Sequence, residues 1–419
     1  MTTRTHRRSS SDPPRRAAAR MGLALAGGGP LGGIYEVGAL LALVDSIRDL
    51  DPTALDVYVG VSSGGFVAAA LANGISPSQM YRLFVAEAAD APMKPALFLQ
   101  PALREFARRA AGLPRLAWRA LAQYARDPLD RGLMASLATL ARALPTGVFD
   151  QRAVDAFVGR LFAVPGRTND FRALRSKLYV VATNLDTGAS VAFGRPGHDH
   201  VPISLALTAS SALPGVFAPV EIDAAHYVDG ALNKTLHASL ALDEGVSLLL
   251  CINPLVPFDA SRERQRGRAG MGKLDRGGLP RVLGQTFRAV IRSRMQAAMA
   301  KYARAYPHAD VVLFEPPREN ADMFLANIFG YAQRERVCAL AFDATRANLR
   351  ERSSSLAPVL ARHGLSLDRG RLADHARGIA AALTDARPLR ISARRDVRQT
   401  TRDLAYALEH LERRLALLA

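Results

Sequence analysis

The sequence predicts an α/β fold with a central, mostly parallel sheet. Two units of strand, glycine-containing turn and helix follow one another before residue 75, and further apolar runs of strand length lie between residues 177 and 316. Strands that alternate with helices are typical of parallel sheets, because each helix returns the chain to the edge where strands begin. With 419 residues, the chain is long enough for one large core and an accessory region.

The first unit begins at residue 22. The apolar run GLALA, residues 22–26, stops at a glycine cluster, and apolar residues from Ile34 to Ile47 then follow helical spacing. The cluster GGGPLGG extends from Gly27 to Gly33. Adjacent glycines let backbone N–H groups approach a substrate closely, and the start of a helix adds a positive dipole. The unit therefore predicts a strand, a glycine turn that accommodates negative charge, and a helix.

Three roles are compatible with this glycine turn. An oxyanion hole for acyl transfer needs such amides, and a phosphate cradle fits as well, because Gly27, Gly29 and Gly32 satisfy the pattern G-x-G-x-x-G. A purely structural turn is the third role. A dinucleotide site predicts a second strand that ends in an acidic residue, whereas the second strand here ends in GVSSG, residues 60–64. That ending argues against a dinucleotide.

The second unit contains a candidate nucleophile. The β-rich run LDVYVG, residues 55–60, meets the segment VSSGG, and the helix-forming segment FVAAALA follows. Glycines two residues before and two residues after a serine permit the strained strand-to-helix turn of a nucleophile elbow, which exposes the hydroxyl. Ser62 has glycine at both positions, whereas Ser63 does not. We therefore predict that Ser62 is the nucleophile.

A serine hydroxyl needs a base within hydrogen-bond reach, usually a histidine held by a carboxylate. Of the histidines after Ser62, only His226 belongs to a predicted strand, and it begins that strand. Asp229 follows the apolar pair Tyr227-Val228 and precedes a glycine, so it lies where the strand ends. A carboxylate there can accept the serine proton directly. Because Asp-Gly is also a common turn pair, an ordinary turn aspartate is the alternative.

Placement argues against the α/β-hydrolase form of the elbow. That fold builds several strands before its serine, whereas Ser62 follows only the second strand here.

Helical segments surround the predicted sheet. Residues 77–149 are rich in Ala, Leu and Arg and contain no convincing strand, which predicts a helical cap. Its mixture of apolar residues and arginines suits a lid that contacts anionic lipid, or an ordinary amphipathic layer. Residues 261–304 are strongly basic and predict a flexible loop followed by a surface helix.

The two ends of the chain are predicted to lie outside a main domain that we assign to residues 21–345. Residues 1–20 hold six arginines and almost no apolar residue, so a solvated, disordered tail is expected. Residues 346–419 predict a helical extension that ends in a leucine stripe. Because the stripe is short, docking onto the domain fits better than a coiled-coil partner. The members of the stripe are Leu404, Leu408, Leu411, Leu415 and Leu418.

The net charge and the composition restrict which binding partners and which cellular location are expected. The net charge of +17 attracts anionic surfaces, and both nucleic acid and acidic lipid headgroups qualify. No apolar run reaches membrane-spanning length and the glycine-rich start makes a poor signal peptide, so we expect a cytoplasmic protein, peripheral to membranes at most. Cys251 and Cys338 each lie in an apolar run and predict buried, reduced thiols.

Four segments, in their order along the chain, resemble the patatin-like phospholipases. They are LALAGGGPLGG, GVSSGG, ASSALPGVFAPV (residues 209–220) and YVDGAL (residues 227–232), at intervals comparable to those of the family. The resemblance is strong over residues 21–255 and fades afterwards. It implies a three-layer α/β/α sandwich with a central, mostly parallel sheet, a helical cap insertion and a helical C-terminal extension.

The resemblance also implies an activity and a site. Family members are lipid acyl hydrolases of the phospholipase A, lysophospholipase or triacylglycerol lipase type, and they use a Ser–Asp dyad without histidine. A lipid or phospholipid substrate is therefore expected, with an anionic membrane surface as a peripheral contact, and no metal, cofactor or nucleic acid is expected. Carried over by motif, the nucleophile is Ser62 and the base is Asp229. The corresponding oxyanion hole comprises Gly27, Gly28, Gly29, Pro30, Leu31 and Gly32.

The sequence departs from the family pattern at three places. These differences are expected to affect which substrate is preferred more than how the ester is cleaved. Leu31 stands where the family usually has Arg or Lys, which removes a cation. Asp-Gly-Gly becomes Asp-Gly-Ala through Ala231, and Asn-x-Pro becomes Asn233-Lys234-Thr235. Two other functions stay open beside ester hydrolysis: nucleotide binding by the glycine turn, and a non-catalytic membrane adaptor of the same fold.

Overall fold

The computed structural model describes residues 20–86, 100–126, 146–261, 278–318 and 331–385. Its strands form one large sheet and two short ribbons. The strands are β1 Met21–Leu25, β2 Ile47–Arg48, β3 Val57–Val61, β4 Gly147–Phe149, β5 Lys177–Asn184, β6 Ser190–Phe193, β7 Gly215–Phe217, β8 Val220–Ile222, β9 Ala225–Asp229, β10 Leu248–Ile252, β11 Asp310–Phe314 and β12 Ser366–Leu367.

Twelve α-helices lie within these described ranges, together with a π-helical turn at Tyr81–Val85. The helices are α1 Gly29–Ser46, α2 Ser63–Ala72, α3 Pro77–Met80, α4 Leu103–Arg126, α5 Arg152–Phe162, α6 Ile203–Ser210, α7 Ser239–Asp243, α8 Gly278–Ala305, α9 Arg334–Glu351, α10 Ser353–Arg362, α11 Arg369–Ala373 and α12 Ile379–Thr384.

The large sheet has eight strands, in the order β11-β10-β1-β3-β5-β9-β8, with β6 also paired to β5. The first five strands of this order are parallel, and β6, β9 and β8 are antiparallel to their neighbours. The predicted α/β class with a mostly parallel sheet is therefore confirmed. The apolar runs at residues 22–26 and 55–60 contain strands as predicted, and β1, β3 and β10 are almost entirely buried because both faces of the sheet are covered there.

Alternate residues of the parallel strands belong to two separate cores. Leu23 and Leu25 of β1 join the core that contains α1, α2, α5, α6 and α9. Ala24 and Ala26 join the opposite core, to which α7 and α8 contribute. Because side chains alternate across a strand, this division places a helical layer on each face of the sheet. The molecule is thus the expected α/β/α sandwich.

The predicted cap, residues 77–149, is helical over α3 and α4 but ends in a strand that the sequence did not reveal. Strand β4 pairs in parallel with β7, and a Cβ atom at Gly147 would lie 2.1 Å from the backbone nitrogen of Ala218. Only glycine permits this approach. The absence of a strand from the cap was therefore a wrong prediction, since a pairing of three residues leaves too short an apolar run to recognise.

Helix α9 crosses the predicted boundary between residues 345 and 346, so that boundary was wrong. The helix packs closely on α1: a Cβ atom at Gly38 would lie 2.2 Å from the carbonyl oxygen of Cys338. Beyond it, Leu356, Leu360 and Leu372 join the same core as α1. Residues up to 385 are therefore part of the main domain. The leucine stripe after Leu404 and the basic tail before Arg20 lie outside the described residues.

A buried ion cluster ties the last described helices to α1. The Asp45 carboxylate, 2% exposed, accepts hydrogen bonds from the Arg371 guanidinium at 3.0 Å and from Arg377 Nη2 at 2.7 Å. Arg346, whose side chain is also buried, lies 4.0 Å away. One carboxylate thus faces three guanidinium groups from three different segments.

We expect Asp45→Ala to lower the free energy of unfolding by about 3–5 kcal/mol, because it leaves buried guanidinium groups without their anion. Urea unfolding followed by circular dichroism measures this change. Lys177→Ala is the matched control: Lys177 is 54% exposed in its pair with Glu244, and its loss should cost less than about 1 kcal/mol. Equal effects of the two substitutions would contradict a structural role for the Asp45 cluster.

Within the described ranges, no helix combines the length and the apolarity needed to cross a bilayer.

Candidate active site

Ser62 lies at the tip of a sharp turn between β3 and α2. Its backbone has φ 51° and ψ −125°, a conformation that a non-glycine residue seldom adopts. A Cβ atom at Gly60 would lie 2.4 Å from the Cα atom of Gly65, and one at Gly64 would lie 2.7 Å from the carbonyl oxygen of Ala26. Both glycines are therefore required by close backbone contacts, and the turn has the strained strand-to-helix geometry that a nucleophile elbow needs.

A second serine holds this strained turn in place. The Ser62 N–H donates to Ser210 Oγ at 2.9 Å, and the Ser210 hydroxyl donates to the carbonyl oxygen of Val181 at 2.5 Å. The Gly65 N–H closes the turn by donating to the Ser62 carbonyl at 2.9 Å. Sequence reasoning did not single out Ser210, although it lies in the ASSALPG segment. Its bridging position depends on where α6 ends, which no local pattern reports.

The edges of β5 explain how Asp229 reaches Ser62. Val180 and Val181 of β5 pair with both β3 and β6, while Ala182 and Thr183 pair with both β6 and β9. A strand has only two edges, so β3 and β9 must share the edge opposite β6. Strand β9 therefore approaches β3 end to end along that edge.

The register of these pairings places the C-terminal ends of β3 and β9 next to each other along β5. Val61 pairs with Val181, and Asp229 pairs with the next residue, Ala182. The chain then turns away at Gly230, where a Cβ atom would lie 2.2 Å from the Val181 carbonyl oxygen. Asp229 consequently meets the residue that follows Val61, which is Ser62.

The Asp229 carboxyl group is buried and directly hydrogen-bonded. Its Oδ1 accepts from the Ala231 N–H at 2.8 Å, and the Ser62 side chain is its other hydrogen-bond partner. Burial raises the pKa of Asp229 to about 6, and the bonds from Ala231 and Ser62 lower it only in part. The bond from the Ala231 N–H also caps the turn after β9, so both a base and a turn aspartate are compatible with this position.

The glycine turn lies beside Ser62, but it is arranged differently from the prediction. Helix α1 begins at Gly29 rather than at Ile34, with Pro30 in its first turn. Gly29 has φ 65°, which only glycine adopts at low cost. A Cβ atom at Gly27 would lie 3.1 Å from Ser62 Cβ, so glycine is needed there for the turn to contact the serine.

Not every predicted oxyanion residue can donate a hydrogen bond. Pro30 has no N–H, the Gly32 N–H donates to the Gly28 carbonyl at 3.1 Å, and the Gly28 N–H donates to Ser63 Oγ at 3.0 Å. The amides of Gly27, Gly29 and Leu31 have no acceptor among the described residues. Three of the six predicted oxyanion-hole residues, Gly28, Pro30 and Gly32, therefore offer no free N–H, in part because α1 starts early.

Leu31 contributes its side chain to the core rather than to the site. It is buried among the apolar residues around α1 and does not line the cavity above Ser62. The position that departs from the family pattern thus serves packing in this chain.

Ser62 and Asp229 are among the residues that line an apolar cavity of about 260 Å³. Its walls come from α1, α2, α5 and α8, and they are mostly aliphatic and aromatic. The charged residues that line it within the described ranges are Asp229 and Arg288, and no histidine lines it. Representative wall residues are Ile34, Phe66, Met80, Val154, Phe157 and Phe287.

The histidines and cysteines of the described residues have other environments. His226 is half exposed and lies 3.6 Å from Asp186, away from the cavity. Both cysteines are free and buried, as predicted from their apolar surroundings. Across the described ranges, no group of three His, Cys, Asp or Glu side chains is placed to hold a metal ion.

Solved structures similar to this chain include the following three. VipD from Legionella pneumophila shares 15% identity over 77% of this chain and 67% of its own, with a TM-score of 0.32. Human GIVD cytosolic phospholipase A2, solved with methyl gamma-linolenyl fluorophosphonate, shares 15% over 81% of this chain and 60% of its own, with a TM-score of 0.29. ExoU from Pseudomonas aeruginosa shares 16% over 91% of this chain and 73% of its own, with a TM-score of 0.25.

The chain thus spans about 60% of the length of the human phospholipase. A search of curated proteins found no match. The family comparison is decisive: a model described as patatin-like phospholipase matches residues 23–242, just over half of the 419 residues. This span contains the elbow, the glycine turn and Asp229. The chain belongs to the patatin-like phospholipase family.

Proposed function

We propose that this protein hydrolyses fatty-acyl esters of phospholipids, as a phospholipase A or lysophospholipase, with Ser62 as nucleophile and Asp229 as base. Family membership supports a lipid hydrolase. The observation that carries the finer proposal is the hydrogen-bonded contact between Ser62 and the buried Asp229 carboxyl in the wall of an apolar cavity. The apolar walls suit an acyl chain, and the few polar groups suit its ester.

In the proposed first half-reaction, Ser62 Oγ attacks the acyl carbonyl carbon while Asp229 takes the hydroxyl proton. The tetrahedral intermediate then collapses, the ester C–O bond breaks, and Asp229 returns the proton to the departing alcohol. In the second half, water gives a proton to Asp229 and attacks the acyl-enzyme. The fatty acid leaves and Ser62 recovers its proton.

The negative oxygen of each tetrahedral intermediate needs donors that are already in place. The amides of Gly27 and Gly29, two residues that line the cavity with Ser62, have no acceptor among the described residues, and the N-terminus of α1 adds a positive dipole there. The Gly28 amide acts indirectly in this proposal, by fixing Ser63 next to the nucleophile. Loss of one such donor typically lowers the rate by about two to three orders of magnitude.

We further propose that α4 contacts an anionic membrane surface that holds the substrate. Leu113, Trp118 and Leu121 are exposed on this helix, Trp118 to 72%, and Arg115 and Arg119 are exposed beside Trp118. An amphipathic helix with exposed apolar and basic faces is suited to the headgroup region of a bilayer. The net charge of +17 favours acidic lipid.

A fluorophosphonate probe tests the proposed chemistry directly. We expect covalent labelling of Ser62, located by peptide mass spectrometry, together with release of fatty acid from phospholipid vesicles and faster release when the vesicles contain acidic lipid. Heat-unfolded protein is the control for non-specific labelling. Labelling that is absent, or that occurs at another serine, would favour the non-catalytic membrane adaptor; equal rates on neutral and acidic vesicles would contradict the membrane contact.

A further inference from the structure

We infer that Arg288 binds the phosphate group of a phospholipid substrate and so determines the preference for phospholipids over neutral lipid esters. The inference rests on the proposed ester hydrolysis and adds a specificity residue to it. It concerns a part of the chain that the family match, residues 23–242, does not cover.

Arg288 lies on α8, the long helix that forms one wall of the cavity above Ser62. Its side chain is 9% exposed, and Gly284 and Phe287 line the cavity with it. Arg288 Nη1 lies 3.7 Å from the position that a Cβ atom would take at Gly284. The guanidinium therefore folds back by one helical turn over a residue without a side chain, and remains at the cavity wall.

This placement is unusual for a basic residue on this helix. Arg281 and Arg292 are more exposed, and Arg294 is exposed and donates to the backbone carbonyls of Leu232 and Asn233. A long basic side chain next to an apolar wall ordinarily extends its charged end into water. Arg288 keeps its charged end in the wall, where burial lowers its pKa. An arginine nevertheless stays protonated at neutral pH.

The charges of the cavity indicate which anion would bind. Among the described residues that line it, Arg288 is the cation and Asp229 is the potential anion. The planar guanidinium offers five N–H donors in a geometry that matches phosphate oxygens, so it can hold a phosphate while it keeps another partner. In a phospholipid, the phosphate is only a few bonds from the acyl ester. Because Ser62 and Arg288 line the same cavity, one molecule can present its ester to the serine and its phosphate to the arginine.

The test compares two monomeric substrates with the same short acyl chain, a lysophosphatidylcholine and a monoacylglycerol, so that vesicle binding plays no part. We expect Arg288→Met to lower kcat/KM for the lysophospholipid by about 10- to 100-fold, mainly through KM, because a hydrogen bond to a charged group is lost. Activity on the monoacylglycerol should change less than about twofold. Arg288→Lys should restore part of the loss, since lysine keeps the charge but not the bidentate geometry.

Arg292→Met is the matched control, because it removes one positive charge from the same helix at a more exposed position. It should leave both substrates unaffected. An equal loss on both substrates for Arg288→Met, or no loss on either, would overturn the phosphate assignment. Weaker product inhibition by fatty acid with unchanged initial rates would also overturn it, and would assign Arg288 to the product carboxylate instead.

The wild-type protein separates this inference from the proposed function. If it hydrolyses the monoacylglycerol in a Ser62-dependent manner but shows no preference that Arg288 controls, only the phosphate assignment fails. If it hydrolyses neither ester, both fail. Thermal unfolding of each variant identifies a loss that is due to misfolding, and fluorophosphonate labelling of Ser62 checks that the elbow is intact.

Discussion

Ser62→Ala is expected to lower kcat/KM for ester hydrolysis by about five to six orders of magnitude, the loss typical when a serine hydrolase loses its nucleophile. The hydroxyl oxygen forms the acyl bond in the proposed mechanism, and no neighbouring group can replace it. Stability should change little, because alanine takes the same strained backbone at φ 51° and retains the bond from its N–H to Ser210. Fatty-acid release under single-turnover conditions measures the loss.

Ser63→Ala is the matched control for this substitution. Ser63 is the adjacent residue, and its hydroxyl only accepts a hydrogen bond from the Gly28 N–H. We expect a loss of about tenfold, which corresponds to one hydrogen bond of about 1.4 kcal/mol in the positioning of the glycine turn. If Ser63→Ala were as damaging as Ser62→Ala, or if Ser62→Ala retained more than about 1% of wild-type activity, Ser62 would not be the nucleophile.

The long strands were predictable because their signal is contained in the strands themselves. Strands β1, β3 and β10 are almost entirely buried, so their runs read as continuously apolar, as in GLALA at residues 22–26. The strands that were missed, such as β4 and β7, are three residues long and pair with each other across 68 positions of sequence. Their existence depends on a long-range contact at Gly147, which local composition does not report.

The sequence predicted that α1 begins at Ile34 rather than at Gly29, for a related reason. Glycines at 27, 28, 29, 32 and 33 have low helix propensity, so the pattern predicts a turn up to Ile34. Tertiary packing overrides that propensity: a Cβ atom at Gly28 would lie 2.7 Å from Pro254 Cγ, so this segment is held against the end of β10. The helix consequently begins inside the glycine cluster, and the Gly32 N–H donates to the Gly28 carbonyl in its first turn.

The two residues of the proposed dyad could be identified from sequence motifs, but the contact between them could not be predicted. Ser62 and Asp229 were chosen from local sequence and from family resemblance, yet their contact depends on the shared edge of β5. Ser210 and Arg288 were missed altogether. Arg288 belongs to a segment that reads as a solvated basic helix, because sequence reports its charge but not which face of α8 meets the cavity.

Asp229→Asn is expected to lower kcat by about four orders of magnitude and to raise the stability of the fold. Asparagine has nearly the same shape and keeps an oxygen for the Ala231 N–H, but it cannot take the proton of Ser62. General-base catalysis by a positioned side chain typically contributes up to about 10⁴-fold. In the wild type, burial raises the pKa of Asp229 from 3.8 to about 6, and this difference corresponds to a cost of about 3 kcal/mol for the buried charge.

The pH dependence follows from the same raised pKa. Asp229 acts as a base only when it is deprotonated, so kcat/KM should rise about tenfold per pH unit below pH 6 and reach a plateau above pH 7. The folded state binds this proton more tightly than the unfolded state. The charged carboxylate therefore destabilises the fold at pH values above about 6, and this cost disappears as the pH falls toward 3.8.

Two measurements on one variant therefore test the role of Asp229. The stability of Asp229→Asn should exceed that of the wild type by up to about 3 kcal/mol at pH 8, and the excess should shrink as the pH falls through about 6. A structural aspartate predicts the opposite, because the loss of its interactions would destabilise the fold. An inactive variant that is also less stable at pH 8 would show that Asp229 supports the turn rather than the chemistry. An inactive variant that is more stable would mean that the fold tolerates an unfavourable buried charge for catalysis.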